Sequence, residues 1–344
     1  SVNNENGFSI QREQWRGASY VSDSKEGYKV VKKSNIAYNP ARINVGSIGL
    51  FSEDVGIVSS LYVIFSTKKN LLPEFLYQYM KSKKFNKTIL KLQEGGVRSY
   101  FFFDKLCSSK INIPSLCEQK KIVVFLSLIN ERIESQKKII SNIESQIKYI
   151  RNKLLSEIDN LNNHILLSEC LLEFNEKTTN NNEYPVLSST KEGIFLQTEY
   201  FNKEASSEDT TGYKIVPKNY CTYRSMSDTG SFTFNKQNIV DKGIISPAYP
   251  VFTTNDNMSV DFIIEYMNNS KFFKASLLET KEGGTRFALP YSKLLKLAIA
   301  DITLEQQQEY ISTVKTMIDK LNNEKKILSL YEKQKQYLLN HIFI

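Results

Sequence analysis

The sequence predicts an α+β chain of two similar globular units, each a twisted β-sheet flanked by helices, separated by an antiparallel two-helix coiled coil. Three observations predict it: an internal repeat, a heptad stripe that closes each copy, and short β-rich stretches ahead of each stripe. The expected boundaries are 1–115 for the first unit, 116–161 for a central helix, 162–303 for the second unit and 304–344 for a closing helix.

The repeat decides the architecture. Gly27-Tyr28-Lys29-Val30-Val31 recurs as Gly212-Tyr213-Lys214-Ile215-Val216, a shift of 185. Glu74 to Met80 recurs as Asp261 to Met267, a shift of 187, and Glu94-Gly95-Gly96-Val97-Arg98 as Glu282-Gly283-Gly284-Thr285-Arg286, a shift of 188. Three collinear matches with a slowly drifting shift mean a duplicated module with small loop insertions.

In the first copy Val58 to Phe65 reads as one strand, rich in β-branched and aromatic residues. Pro73 to Gln93 reads as one amphipathic helix, with Phe75, Leu76, Tyr79, Met80, Ile89 and Leu92 on its apolar face. The second copy repeats this with a strand at Pro250-Val251-Phe252 and a helix from Val260 to Leu278. A long helix then ends each copy. Ile122, Leu126, Ile129, Ile133, Ile140, Ile143, Ile147, Ile150 and Leu154 are spaced by fours and threes, with Gln136 the interruption, which is the period of a coiled-coil seam. Shifted by 188, the same stripe reads Tyr310, Val314, Met317, Leu321, Leu328, Tyr331, Lys335, Leu338 and Ile342, with Glu324 opposite Gln136. Lys335 is the one position of the copied stripe that is neither apolar nor aromatic.

Left in water, such a stripe would expose apolar side chains each worth roughly 1.5–3 kcal/mol when buried, so the two stripes are expected to cover each other. Antiparallel pairing would carry the two units at opposite ends of a stiff rod. From Ile122 to Ile150 the rise is about 42 Å at 1.5 Å per residue. That is slightly more than a turn of B-DNA, the separation at which two modules read one face of a duplex. A plain coiled-coil adaptor, binding proteins through its globular ends, fits the periodicity equally well.

Charge separates the two copies. Residues 1–115 carry 17 Lys and Arg against 9 Asp and Glu, whereas 169–303 carry 14 against 17. The basic first half suits a phosphate-rich partner, and the second half is silent on the matter. Cys107, Cys117, Cys170 and Cys221 lie far apart in sequence, as reduced cytoplasmic thiols do. No apolar run approaches the roughly 18 residues that cross a bilayer, and no secretory pattern opens the chain. The two histidines, His164 and His341, are both expected at helix ends and make a His-based triad or metal site implausible. Phosphate-cradling Gly-rich loops and the Asn/Asp-Pro-Pro-Tyr/Phe turn of adenine methyltransferases are missing, so no catalytic centre is expected.

Tyr38-Asn39-Pro40-Ala41-Arg42-Ile43-Asn44-Val45-Gly46-Ser47-Ile48-Gly49, Tyr223-Arg224-Ser225-Met226-Ser227-Asp228, the paired Glu-Gly-Gly-x-Arg loops and the heptad helices after them resemble the specificity subunits of type I restriction-modification systems (the HsdS family). The likeness runs over essentially the whole chain. It implies two target-recognition domains, each reading one half of a bipartite, asymmetric double-stranded DNA site, with the helices setting the unread spacer. It also implies that two methyltransferase subunits dock on the coiled coil and that a motor-nuclease subunit joins them. S-adenosylmethionine, ATP and Mg would then belong to those partners, with no cofactor or metal in this chain. One departure is that aligning Gly7 with Gly193 leaves 162–186 without a counterpart at the N-terminus. With Ser as the first residue, a stretch of the first domain is expected to be missing.

Candidate DNA contacts follow. Arg98, and Thr285 with Arg286, sit in Gly-Gly loops whose backbone can approach a partner, and Arg forks onto a guanine edge or a phosphate. A Gly cap with Arg paired to Glu94 or Glu282 is the competing reading. Arg42 and Asn44 follow the Asn39-Pro40 turn in a segment otherwise fit for a strand, and a solvated turn fits them as well. Arg224, Ser227, Asp228 and Thr229 form the corresponding run in the second copy, where Asp228 could accept from a cytosine amine. Lys32, Lys33, Lys68 and Lys69 would at most position phosphates. Trp15 with Arg16 fits core packing better than an interface.

Overall fold

The computed structural model describes residues 1–3, 7–9, 26–94, 100–161, 163–200, 209–279 and 287–343. Arg98, Thr285, Arg286, Trp15 and Arg16 lie outside the described residues. The chain divides into two compact units, 1–139 with 324–344, and 140–323, so each unit owns part of both long helices.

The first unit opens with β1 (Val2–Asn3) and β2 (Gly7–Phe8), paired antiparallel. Then come β3 (Lys29–Lys32), β4 (Ile36–Tyr38), β5 (Ile48–Leu50), β6 (Val55–Val58) and β7 (Val63–Phe65). β3 pairs with β6, and β4 lies between β5 and β7, all antiparallel. The strand expected over 58–65 is therefore two strands with a turn between them. Leu61 points to solvent there and the Tyr62 N–H bonds the Ser59 carbonyl, so each half joins a different sheet. The helix expected over 73–93 is likewise two, α1 (Pro73–Met80) and α2 (Lys83–Leu92). Buried Ser82 breaks it, because its hydroxyl accepts from the Phe85 N–H and caps a new helix. A short α3 (Phe103–Ser108) precedes α4 (Leu116–Asp159), the first of the long helices.

The second unit continues with β8 (His164–Leu166), α5 (Leu167–Cys170), β9 (Leu171–Glu173), β10 (Leu187–Ser189), β11 (Ile194–Leu196) and α6 (Gln197–Tyr200). β12 (Lys214–Pro217), β13 (Cys221–Tyr223), β14 (Met226–Ser227), β15 (Phe234–Lys236), β16 (Lys242–Ile245) and β17 (Val251–Thr254) follow. α7 (Val260–Asn269), α8 (Lys271–Glu279), β18 (Phe287–Ala288), α9 (Tyr291–Leu294), β19 (Ala298–Ala300) and α10 (Leu304–His341) complete it. His164 thus begins a strand and does not end a helix. Its 162–186 segment supplies β8, which pairs with β19, and β9, which extends the sheet to β15-β13-β17-β9. The expected helix over 260–278 breaks at Ser270, whose hydroxyl caps α8 by accepting from the Phe273 N–H, as Ser82 caps α2.

The copies share their backbone devices. β12 pairs with β16 as β3 pairs with β6, and the glycines ahead of β3 and β12 both hold positive φ, +79° at Gly27 and +81° at Gly212. Each long helix opens on a capping box. Ser115 exchanges bonds with Glu118, and Thr303 with Gln306.

Sequence reasoning missed a duplicated clasp. Gln119 is fully buried; its Oε1 accepts from the Leu72 N–H while its Nε2 donates to the carbonyls of Asn70 and Pro114. Gln307, 188 residues later, repeats this with the Ser259 N–H and the carbonyls of Asn257 and Ile302. Each clasp ties the first turn of a long helix to the loop that starts an amphipathic helix.

The heptad stripe is the seam. Leu126, Ile129, Ile133, Ile140, Ile143 and Ile147 of α4 are buried, and Ile122, Ile150 and Leu154 half-buried. On α10, Tyr310 and Val314 are buried, while Met317, Leu321, Leu328, Tyr331, Lys335, Leu338 and Ile342 are half-buried. In the first unit Leu126 joins a core with Leu339 and Phe343, whereas Gln136 bonds the Glu324 carboxylate, so the two helices run antiparallel there. In the second unit Leu155 packs in a core with Tyr310 and Val314, and Ile147 lines a cavity with Leu321, which gives the same antiparallel sense. Replacing both Gln136 and Glu324 by Leu is expected to raise the thermal midpoint, since apolar packing usually matches or exceeds a buried polar pair. A lowered midpoint would show that the pair outweighs such packing.

Candidate nucleic-acid interface

In the second unit β13 delivers the chain to exposed Arg224, and the following β14 pairs with β18 in the register Ser227 opposite Phe287. β18 is the strand that leaves the Gly283-Gly284-Thr285-Arg286 segment. The Leu289 N–H closes the same junction on the Ser225 carbonyl at 2.8 Å. Buried Tyr223 reinforces it by donating its hydroxyl to the Leu289 carbonyl at 2.9 Å, and burial pushes that phenol's pKa up. The Arg224 segment is thereby stitched to the chain that follows the second Gly-Gly loop, about 60 residues on in sequence.

The first unit repeats the stitch. The Phe101 N–H bonds the Pro40 carbonyl at 3.0 Å, and Glu94 and Tyr100 bridge each other across the base of the 95–99 segment. The Asn39-to-Arg42 turn is therefore bonded to the chain just after the first Gly-Gly loop, as its copy is bonded to the chain just after the second. Arg42 and Asn44 do not stand on strand: Ile43–Val45 forms a 3-10 turn ended by Gly46 at φ +89°. That turn buries Ile43 and leaves Arg42 and Asn44 exposed.

Arg224, Ser227, Asp228 and Thr229 line one cavity of about 760 Å³, with Lys191 and Tyr200 on its wall. Its polar groups are mixed in kind. Ser227 and Thr229 share a hydroxyl contact of 3.4 Å, and neither Arg224 nor Arg42 forms an ion pair with a described residue. Such a cleft presents donors and acceptors together, as base edges require.

In the first unit Asn44 lines a cavity of about 400 Å³ with Lys81, Lys83, Asn86, Lys335 and Gln336. Lys81 and Lys83 were not singled out from sequence, where lysines on an amphipathic helix read as solvated. Lys32, Lys33, Lys68 and Lys69 are exposed but line neither cavity. Lys32 and Lys33 flank the β3 turn, where the Asn35 side chain accepts from the Lys32 N–H, and Lys68 and Lys69 precede α1.

Among the described residues no group of three or more His, Cys, Asp or Glu could hold a metal ion. No described helix is long and apolar enough to cross a membrane. All four cysteines are free thiols.

Residues 16–145 match the family described as the type I restriction modification DNA specificity domain. The chain is 26% identical over 121 residues to the specificity subunit of type I restriction enzyme HindI from Haemophilus influenzae, over 34% of this chain and 26% of that protein. The matched stretch thus spans about a quarter of that relative. In fold the chain is similar to the HsdS subunit from Thermoanaerobacter tengcongensis, with a TM-score of 0.54 and 14% identity over 93% of this chain and 83% of that one. A chain from a structure on complex assembly and conformational transition of the type I R-M system gives 0.60 and 14% over 92% and 83%. The type I S subunit from M. genitalium gives 0.50 and 16% over 91% and 84%. The resemblance to type I specificity subunits therefore holds in sequence for 16–145 and in fold for nearly the whole chain.

Proposed function

We propose that this chain, whose residues 16–145 carry the type I restriction modification DNA specificity domain, is the non-catalytic DNA-recognition subunit of a type I restriction-modification complex. The observation that carries the reading is the repeated stitch. In both units an arginine-bearing turn is hydrogen-bonded to the chain that follows a Gly-Gly-x-Arg segment, which supports a reading of one recognition surface per unit.

Two reading surfaces in one chain imply a bipartite site, and two unlike sets of side chains imply that its halves differ. The uninterrupted α4 and α10, of 44 and 38 residues, are the natural determinant of the unread spacer. Methyltransferase subunits would dock on the helices. Val124, Phe125 and Leu128 on α4 and Leu330 on α10 are between 46% and 62% exposed, apolar surface of the kind a partner covers. S-adenosylmethionine, ATP and Mg would enter with those cytoplasmic partners.

Arg224→Ala is expected to weaken specific binding by roughly 1–3 kcal/mol and to relax the sequence requirement in one half-site only. A binding-site scan that found equal loss in both halves would overturn the assignment of one unit to one half. A gel-shift series against salt tests the reading itself, because phosphate contacts give a steep negative slope that a protein-binding adaptor lacks.

A further inference from the structure

The copied seam breaks at one position, and the break has a physical consequence. Ile147 of α4 is buried in the second unit; its copy on α10 in the first unit is Lys335. A lysine at a seam position must shed part of its hydration, and nothing in a coiled coil asks for it. Burial lowers its pKa, and repulsion from Lys81 and Lys137 lowers it further, while Glu134 and Glu332 act less strongly in the opposite sense. Lys81 has its own pKa lowered by burial, and its ammonium stands 4.2 Å from the Tyr77 ring centroid. The Lys335 ammonium, on a half-buried residue, thus sits in the field of Lys81, which is itself exposed.

The surroundings compensate that charge only in part. Lys335, Lys81 and Lys83 line the Asn44 cavity with Asn86 and Gln336, no carboxylate lines it, and none of the three lysines forms an ion pair with a described residue. The matching cavity of the second unit, about 320 Å³, differs in the way that matters. That cavity is basic too, lined by Lys148, Lys274 and Arg151, but Glu144 is on its wall, Arg151 is bound by Glu265, and Asn269 stands where the first unit has Lys81. Of the two clefts, the one in the first unit has no carboxylate on its wall, and a cleft kept only for packing would carry no such excess of cations.

We propose that the Lys81–Lys83–Lys335 cleft is a phosphate-binding site that holds a phosphodiester of the DNA backbone, so that the coiled-coil helix itself takes part in gripping the duplex. Three cations match one to two phosphates, and the amides of Asn44, Asn86 and Gln336 can donate to their oxygens. The DNA source rests on the recognition-subunit reading; the phosphate chemistry does not.

The test uses the full chain and Lys335→Ile, which restores the residue of the other copy, with Lys81→Gln as a second variant if the first folds poorly. One arm measures affinity for a non-cognate duplex against salt, and the other measures thermal stabilisation by inorganic phosphate relative to chloride at equal ionic strength. The expected result is roughly tenfold weaker duplex binding, a salt slope shallower by about 0.9 per lost contact, and loss of the phosphate stabilisation. If the phosphate effect is lost while duplex affinity and slope stay the same, the site takes a free anion and the backbone assignment is overturned. Unchanged values in both arms remove the site altogether. If the unaltered chain binds no duplex, the recognition reading fails, and the phosphate arm still decides the cleft.

Discussion

Inserting seven residues into each long helix, between Ile139 and Ile140 in α4 and between Asn323 and Glu324 in α10, is expected to lengthen the unread DNA spacer by about three base pairs. A heptad adds about 10.5 Å of helix, and base pairs stack at roughly 3.4 Å. Seven residues also preserve the seam, because they return the stripe to the same face. The chosen points are where the chain divides, so each unit keeps its share of both helices. A methylome of cells expressing the complex reads the outcome as a new spacer between unchanged half-sites. An unaltered spacer in active complexes would take the helices out of the ruler role.

The second large effect concerns the glutamine clasp. Gln307→Leu keeps approximate size but removes the acceptor for the Ser259 N–H and the donor for two carbonyls, in a fully buried position. Each buried polar group left unpaired costs about 1–3 kcal/mol, so denaturant unfolding is expected to show the loss in the second unit. Gln119→Leu is expected to do the same in the first, through the Leu72 N–H and the carbonyls of Asn70 and Pro114. If either variant melts as the parent does, water has replaced the amide and the clasp is dispensable.

The clasp also shows where reading a sequence succeeds and fails. The seam was legible because a heptad stripe is a one-dimensional pattern, and Ile133 or Ile143 announces itself by spacing alone. A single Gln near a helix start announces nothing; only its recurrence as Gln307, one repeat length on, could have exposed it. The breaks at Ser82 and Ser270 were hidden for the opposite reason. Phe75, Tyr79 and Ile89 keep a helical rhythm across the kink, and the capping hydroxyl is invisible to periodicity. Arg224, Ser227, Asp228 and Thr229 were legible as a group because they are near neighbours in sequence. The Asn44 cleft was not, because Lys81 and Lys335 meet only after α1 and α10 pack, though Lys335 was already the odd member of its stripe.

Discontinuity has a price in time. The first unit is finished by residues 324–344, since Leu339 and Phe343 fill its core and Phe343 packs its ring on Phe75 and Tyr79. The ribosome releases that stretch after the whole of the second unit, which is emitted as one unbroken run. The half synthesised first must therefore wait, apolar surface uncovered, and is the last to close.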